Sequence, residues 1–283
     1  MNNSKVLLQD FTARLGPAED PDEVHAIGLL VFEHLYGLSR TAIMAGQPID
    51  NPQPERLASI IERLRLHQPI QYILGEAHFY GRTYQVSPAV LIPRPETEEL
   101  VQQVIDFAHR TSRQPSRMLD IGTGSGCIAI TLALEIQHAS VFATDISPDA
   151  LHIARQNAAR HDAPVAFYIH DILTGQIPLN SMDVVVSNPP YITAQEKQSM
   201  KHHVLAFEPH LALFVENDDP LLFYRAISNK AWTILNPGGM IAFEINANFG
   251  PDVASLLHTD GFTRVEIIND LQGKQRIVKG FLA

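Results

Sequence analysis

The first part of the chain carries apolar side chains at the spacing of amphipathic helices. Asp20 and Pro21 have the form of a helix start, and Gly37 has the form of its end. We therefore predict a helical domain over residues 1–74, with its core built from three apolar stripes. The stripes are Val6, Leu7, Phe11 and Leu15, then Val24, Ile27, Leu30 and Val31, then Leu57, Ile60, Ile61 and Leu64.

The pattern changes from Ala77 onward. The segment HFYGRTYQV places β-favouring residues on both sides of Gly81-Arg82, which predicts a hairpin. Three prolines within residues 88–95 indicate a stiff connection, and residues 96–110 have a helical pattern. The sequence thus predicts a hairpin linker over residues 75–92, followed by a domain over residues 93–283.

From Arg117 onward, short apolar runs alternate with segments of helix length. Several of the runs are almost continuously apolar, as strands of a parallel sheet covered on both faces must be. This predicts an α/β fold with a doubly wound, mostly parallel sheet, whose last two strands form an antiparallel hairpin at one edge. The seven predicted strands are RMLDI, SVFATD, VAFYI, DVVVS, MIAFEI, TRVEII and QRIVKGF.

A glycine-rich loop follows the first of these strands. It consists of Gly122, Thr123, Gly124, Ser125 and Gly126. Glycines allow a backbone to turn sharply and to approach a ligand, because no Cβ stands in the way. Asp145 ends the next strand, where an acid accepts hydrogen bonds from a ribose diol. Loop and acid together predict an adenosine-containing cofactor.

Two such cofactors fit this loop. Residues 124–129 match the dinucleotide form G-x-G-x-x-A, so a nicotinamide enzyme stays an alternative. S-adenosylmethionine offers the same diol but has no pyrophosphate. Asp120, which stands just before the glycines, favours S-adenosylmethionine, because a carboxylate there repels a pyrophosphate but suits a cationic methionine group.

The fourth predicted strand ends abruptly in Asn188, Pro189, Pro190 and Tyr191. Prolines fix φ and donate no backbone N–H, so this segment presents acceptors: the Asn188 side-chain oxygen and backbone carbonyls. Such acceptors suit a substrate that carries an NH₂ group, and Tyr191 offers a flat wall for it. The lone pair of an amide or aryl amine nitrogen is delocalised, so this nitrogen is a weak nucleophile. Two acceptors that bind its two N–H bonds direct the lone pair at a methyl sulfonium, and no ionised base is needed.

Composition narrows the class of protein. The net charge is −10, and proteins that hold nucleic acid through many phosphates are more often basic, so no direct nucleic-acid partner is predicted. No apolar run reaches the ~18 residues of a membrane helix, and acids lie close behind the first apolar residues, unlike a signal peptide. Cys127 is the single cysteine, which fits a reducing, cytoplasmic setting. The histidines lack metal-ligand spacing, so no metal is predicted.

Three further stretches resemble one family. Residues 69–75 (PIQYILG), 91–98 (LIPRPETE) and 207–213 (FEPHLAL), together with the NPPY motif, are similar to the release factor glutamine methyltransferases, the PrmC/HemK family. The resemblance implies a helical N-terminal domain for release factor recognition, a hairpin linker and a class I, Rossmann-like methyltransferase domain. It implies methyl transfer from S-adenosylmethionine to the glutamine of the Gly-Gly-Gln motif in peptide chain release factors.

The same resemblance implies roles for individual residues. The glycine loop, Asp145 and Asn188 hold the cofactor, while Asn188 to Tyr191 hold the glutamine and carry catalysis. Family members can have a tryptophan against the adenine, where this chain has Ile172, which implies less stacking. Arg94 and Glu96 fall near the mouth of the implied site. A monomer is predicted.

Alternatives remain at this point. An enzyme that methylates the N6 amino group of adenine in DNA or RNA uses a similar NPPY motif, and the acidic charge argues against it. A further alternative is an adapter that binds release factors without chemistry.

Overall fold

The structure is a computed structural model that describes residues 3–16, 20–111, 116–193, 195–199, 202–215 and 219–283. The chain divides into two units. One comprises Met1–Gly75 and His202–Phe207, and the other comprises Glu76–Lys201 and Glu208–Ala283. The domain boundaries inferred from the sequence, 1–74, 75–92 and 93–283, stay a prediction.

The first unit is helical. Its helices are α1 (Ser4–Leu15), α2 (Pro21–Tyr36), α3 (Arg40–Ala45), α4 (Pro54–Arg65), α5 (Ile70–Leu74) and α9 (His202–Phe207). The predicted ends of α2 are confirmed, since the Asp20 carboxylate accepts from the Asp22 N–H at 2.9 Å and Gly37 has a left-handed φ of 65°. The predicted apolar stripe of α1 is wrong at Val6, which is 60% exposed. Leu8 and Phe11 are buried instead, because α1 packs through the face at positions 4, 8 and 11.

The second unit begins with the predicted hairpin. Strand β1 (Glu76–Phe79) pairs antiparallel with β2 (Arg82–Gln85). The turn residues are Tyr80 and Gly81, with φ of 48° and 71°, one position earlier than the sequence suggested. A two-residue turn with positive φ at both positions matches the right-handed twist of the flanking strands.

The main sheet confirms the predicted α/β fold. Its strands are β3 (Arg117–Ile121), β4 (Ser140–Asp145), β5 (Val165–Ile169), β6 (Met182–Ser187), β9 (Leu235–Glu244), β10 (Phe262–Asn269) and β11 (Gln275–Leu282). The order is β10-β11-β9-β6-β3-β4-β5, and β11 is antiparallel to both of its neighbours. The short strands β7 (Ile192–Thr193) and β8 (Phe214–Val215) form a separate pair.

Helices pack on both faces of this sheet. They are α6 (Pro95–Arg110), α7 (Cys127–Glu135), α8 (Pro148–Arg160), α11 (Leu222–Ile234) and α12 (Gly250–Thr259), while the short helix α10 (His210–Leu213) leads into β8. Successive residues of one strand serve opposite cores: Val184 packs with the α6 and α7 side chains, and Val185 packs with those of α11 and α12. None of the helices in the described ranges has the length and apolar character that crossing a bilayer requires.

Strand order places one crevice at the carboxyl edge of the sheet. Strand β3 pairs with β4 on one side and β6 on the other, so the chain leaves β3 and β6 toward opposite directions. Open α/β sheets bind ligands where the order reverses in this way. The loops after β3, β4 and β6 therefore meet at one place.

Asn157 of α8 holds three segments of this unit together. The side chain is fully buried, accepts from the Gln85 N–H at 2.6 Å and donates to the Gln85 and Ser125 carbonyls at 3.0 and 2.9 Å. It thereby ties β2 and the glycine loop to α8.

Replacing this side chain, Asn157→Ala, leaves buried backbone groups without partners. We expect the free energy of unfolding to fall by at least about 2 kcal/mol, measured by urea denaturation. The exposed Asn180→Ala variant is the control and leaves the midpoint unchanged. Equal midpoints for the two variants would contradict this role of Asn157.

Candidate active site

A cavity of about 360 Å³ opens at the carboxyl edge of the sheet. Its wall combines the loops that follow β3, β4, β5 and β6 with the segment before α6 and with residues of α10. Most of the wall is apolar, and a few polar groups converge on it, as in many small-molecule sites. The polar wall residues are Arg94, Thr97, Thr123, Ser125, Asp145, Ser147, Asp149, His170, Asp171, Ser187 and Asn188.

The glycine loop forms one side of this cavity. Gly122, Gly124 and Gly126 have φ of 73°, 54° and 82°, a region where a side chain would be strained. The N–H groups of Gly122 and Thr123 both donate to the Thr144 carbonyl, at 2.9 and 3.0 Å, which fixes the loop to the end of β4. Gly122, Thr123, Gly124 and Ser125 line the cavity.

Gly126 has a different position. It caps the start of α7, and an added Cβ would lie 2.9 Å from Ile130 Cδ1 and 3.2 Å from Ala154 Cβ. Glycine is needed here so that α7 can pack closely, and Gly126 is not among the described residues that form the cavity wall.

Asp145 links the loop to the next strand. Its two carboxylate oxygens accept from the backbone N–H groups of Gly124 and Ser147, each at 2.9 Å. Burial raises the pKa of Asp145, and these N–H donors oppose the rise. Each oxygen keeps a further lone pair, so the carboxylate on the cavity wall is able to accept from a diol.

Asp120 lies beneath the loop. Its side chain is fully buried, and Oδ2 accepts from the Thr123 hydroxyl at 2.6 Å. Burial raises the pKa of this carboxyl to about 7, despite the hydroxyl donor. Asp120 is absent from the described wall residues, so its contact is with the loop.

The structure brings three of the four NPPY residues to the same cavity. Asn188 follows β6 directly, and Asn188, Pro189 and Pro190 lie on the cavity wall. Tyr191 lies behind them: its ring packs against the core on the α11 side, and its hydroxyl donates to Glu244 Oε1 at 3.2 Å. Within the described chain, Tyr191 is not a wall residue.

Glu244 and Thr97 were not predicted from the sequence. Glu244 ends β9 with its carboxyl buried, and Oε2 accepts from the Thr97 hydroxyl at 2.6 Å. Thr97 in turn accepts from Asn188 Nδ2 at 3.3 Å. Burial raises the pKa of Glu244, opposed by the Thr97 hydroxyl, by the charge of Arg276 and by the Tyr191 hydroxyl. The signal in the sequence was an acid at the end of the apolar strand MIAFEI.

Of the remaining candidate residues, Ile172 and Arg94 line the cavity and Glu96 does not. Ile172 is buried and lies on the cavity wall, and its carbonyl accepts from the Lys230 ammonium. Arg94 is also a wall residue and forms an ion pair with the buried carboxylate of Glu208. Glu96 lies in a separate surface cleft with Glu98 and Glu99.

Two further observations limit the chemistry of the site. Among the described residues, no three histidine, cysteine or carboxylate side chains are grouped as a metal site requires. Cys127 lies on the wall, and burial raises the pKa of its thiol to about 12. A thiol that stays protonated is a poor nucleophile.

Comparison with known families finds two matches along the chain. Residues 7–75 match the PrmC N-terminal domain, and residues 101–210 match the methyltransferase small domain. A crystal structure of a methyltransferase from Pyrococcus furiosus superposes with a TM-score of 0.51 at 17% identity, covering 82% of this chain and 98% of that one. That likeness concerns the fold.

Curated relatives are much closer in sequence. The release factor glutamine methyltransferase of Bacteroides thetaiotaomicron is 44% identical over 91% of this chain and 92% of its own length. The release factor glutamine methyltransferase of Flavobacterium psychrophilum is 39% identical over 95% of both chains. With this identity along nearly the whole length, the chain belongs to the release factor glutamine methyltransferase family.

Proposed function

We propose that this protein transfers a methyl group from S-adenosylmethionine to the side-chain amide nitrogen of the glutamine in the Gly-Gly-Gln motif of peptide chain release factors. The observation that carries the proposal is one cavity whose wall holds both the glycine loop with Asp145 and the Asn188-Pro189-Pro190 segment. A donor site and an acceptor site that share one cavity can bring two reactants into contact.

The wall residues fit the methyl donor. At Gly122 and Gly124 nothing lies within 4 Å of the point where a Cβ would stand, so the loop leaves open space for a ligand. We assign the adenosine diol to Asp145, the adenine to the apolar side chain of Ile172 and the remaining loop contacts to Gly122, Thr123, Gly124 and Ser125. Gly126 supports the loop through α7. When bound, S-adenosylmethionine supplies an electrophilic methyl carbon, which bonds to nitrogen as the carbon–sulfur bond breaks.

The protein's contribution is to orient a weak nucleophile. An amide nitrogen shares its lone pair with the carbonyl, so it reacts only when that lone pair is directed at the methyl carbon. Pro189 and Pro190 offer carbonyl oxygens and no N–H, and Asn188 adds a side-chain oxygen. Two acceptors on the two N–H bonds hold the amide and favour the positive charge that develops on nitrogen. The nitrogen then loses one proton to water.

Tyr191 contributes indirectly in this proposal. Its hydroxyl is bound to Glu244 and its ring is packed behind the wall, so it supports the Pro-Pro segment from within. The flat wall for the glutamine is then provided by the prolines. Arg94, which is paired with Glu208 at the cavity, is a candidate for contact with the substrate backbone.

The partner is assigned from the family and the charge. The curated relatives are named for release factor glutamine methylation, and a net charge of −10 disfavours a nucleic-acid substrate. We propose that the helical domain, residues 1–74, takes part in release factor recognition, that the protein acts in the cytoplasm and that it acts as a monomer.

Mass spectrometry tests the proposed reaction directly. The protein is incubated with S-adenosylmethionine and a Gly-Gly-Gln-bearing release factor, and in parallel with adenine-containing oligonucleotides. We expect a gain of one methyl group, about 14 Da, on the motif glutamine alone. Methylation of the oligonucleotides instead would favour the adenine-N6 alternative.

Replacing Asn188 separates catalysis from cofactor binding. Asn188→Ala removes the side-chain acceptor, so we expect kcat to fall by about 10²–10³-fold, while calorimetry still detects cofactor binding. Asn248→Ala, an exposed asparagine, is the control and retains wild-type turnover. Wild-type turnover by Asn188→Ala would contradict the role given to this residue.

Replacing Asp145, unlike replacing Asn188, should weaken cofactor binding. Asp145→Ala removes the proposed diol acceptor and the partner of the Gly124 N–H, so the dissociation constant for the cofactor rises by roughly 10–100-fold. Isothermal titration calorimetry measures it. The exposed Asp252→Ala variant controls for the lost charge, and equal affinities in the two variants would refute the assignment.

Burial of Asp120 makes stability depend on pH. A carboxyl whose pKa rises from 3.8 in the unfolded chain to about 7 in the fold stabilises the protein below about pH 4. That contribution is lost as the pH rises to about 7. Asp120→Asn removes this dependence. The difference in unfolding free energy between the variant and the wild type should therefore increase in favour of the variant by up to about 4 kcal/mol from about pH 4 to pH 8. Urea denaturation of both proteins at both pH values measures this difference. If the unfolding free energies of the wild type and of Asp120→Asn changed equally with pH, the pKa of Asp120 would not be raised in the fold.

A further inference from the structure

A line of hydrogen bonds runs from the end of β9 to the cavity wall. It passes from Glu244 through Thr97, the third residue of α6, to Asn188 after β6. Glu244 and Thr97 are almost fully buried, and Thr97 also borders the cavity together with Asn188. The two buried residues are 147 positions apart in the sequence, so only the fold brings them together.

The donors along this line have one consistent direction. When its carboxyl is ionised, Glu244 only accepts hydrogen bonds, from the Thr97 hydroxyl at Oε2 and from the Tyr191 hydroxyl at Oε1. Because the one hydrogen of the Thr97 hydroxyl is used, its oxygen can only accept from Asn188. The side chain of Asn188 must therefore turn its NH₂ group toward Thr97.

We infer that the Glu244–Thr97 pair fixes the amide orientation of Asn188 and thereby makes the site select a carboxamide over a carboxylate. This inference rests on the proposed function, because it concerns the glutamine substrate. With NH₂ held by Thr97, the Asn188 oxygen is left for the cavity, where it accepts from a glutamine NH₂. Glutamate offers only acceptors, so it meets this oxygen with repulsion.

Loss of the Thr97 hydroxyl would release this constraint. The Asn188 amide could then rotate and present NH₂ to the cavity, which places a donor against the glutamine NH₂ and favours glutamate. Thr97 and Glu244 are thus positioning residues that act through Asn188. Loss of the Thr97 hydroxyl would therefore lower the rate of methyl transfer and would also change the discrimination between glutamine and glutamate.

The experiment uses the full chain in four variants. Thr97→Val removes the hydroxyl and keeps the shape, and Thr97→Ser restores the hydroxyl. Glu244→Gln replaces the carboxylate with a group that both donates and accepts. Thr131→Val is the matched control, because it also removes a buried hydroxyl. The Thr131 hydroxyl is hydrogen-bonded to the Tyr84 hydroxyl at 2.9 Å, and Thr131 does not line the cavity. Each is assayed for methylation of a Gly-Gly-Gln-bearing release factor and for inhibition by the same factor carrying Gly-Gly-Glu.

We expect Thr97→Val to lower kcat by about 100-fold with the cofactor dissociation constant unchanged. Its inhibition by the glutamate form, relative to KM for the glutamine form, should strengthen at least about tenfold. Glu244→Gln should change both quantities in the same direction by less, because its amide can take either orientation. Thr97→Ser and Thr131→Val should retain wild-type selectivity.

Three outcomes would overturn the inference. One is wild-type kcat and selectivity in Thr97→Val. Another is a loss of activity in Thr97→Val with unchanged selectivity, which would indicate a merely structural role. The third is a failure of Thr97→Ser to restore selectivity. If Thr97→Val does not fold, as judged by thermal unfolding and cofactor binding, unchanged selectivity in Glu244→Gln overturns it instead. Failure of the proposed function is distinct, because the wild-type protein would then not methylate the glutamine form.

Discussion

Two buried carboxyl groups and a third on the cavity wall hold the carboxyl edge of this sheet together. Asp120, Asp145 and Glu244 lie at or near the ends of β3, β4 and β9. Asp120 and Asp145 both accept hydrogen bonds from the glycine loop, and Glu244 accepts from Thr97 of α6. A buried carboxyl without donors is costly, so the loops that supply the donors are obliged to close over it. The glycine loop, the proposed diol acceptor Asp145 and the start of α6 are positioned by this requirement.

The three carboxyl groups differ in position, since Asp145 lines the cavity and Asp120 and Glu244 lie behind its wall. Asp145 lies on the cavity wall and has lone pairs left for a ligand, whereas Asp120 accepts from Thr123 and Glu244 accepts from Thr97 and Tyr191 behind the wall. At the proposed substrate site the wall is formed by Asn188 and two prolines, which carry no charge. Orientation by neutral acceptors, held in place by buried carboxyl groups, suits a nucleophile that needs no deprotonation before it attacks.

Much of the fold and part of the site follow from local sequence. Apolar runs such as DVVVS predicted the strands, and Asp20 and Gly37 predicted the ends of α2, because these signals depend on neighbouring residues only. The sequence was less informative about faces and registers. Val6 falls off the buried face of α1, and the hairpin turn is at Tyr80-Gly81, since tertiary packing and turn geometry decide these positions.

Contacts between distant segments explain what the sequence could not provide. Thr97 stands within a motif and Glu244 ends an apolar strand, yet neither position indicates that the two side chains meet. Their contact requires β9 to lie beside β6 and α6 to start above both, and strand order is not written in any local pattern. The same holds for Tyr191, whose hydroxyl turns toward Glu244 because a buried phenol needs an acceptor. A motif thus indicates the residues that we propose to face the substrate, while the side chains that hydrogen-bond to them are found only in the folded chain.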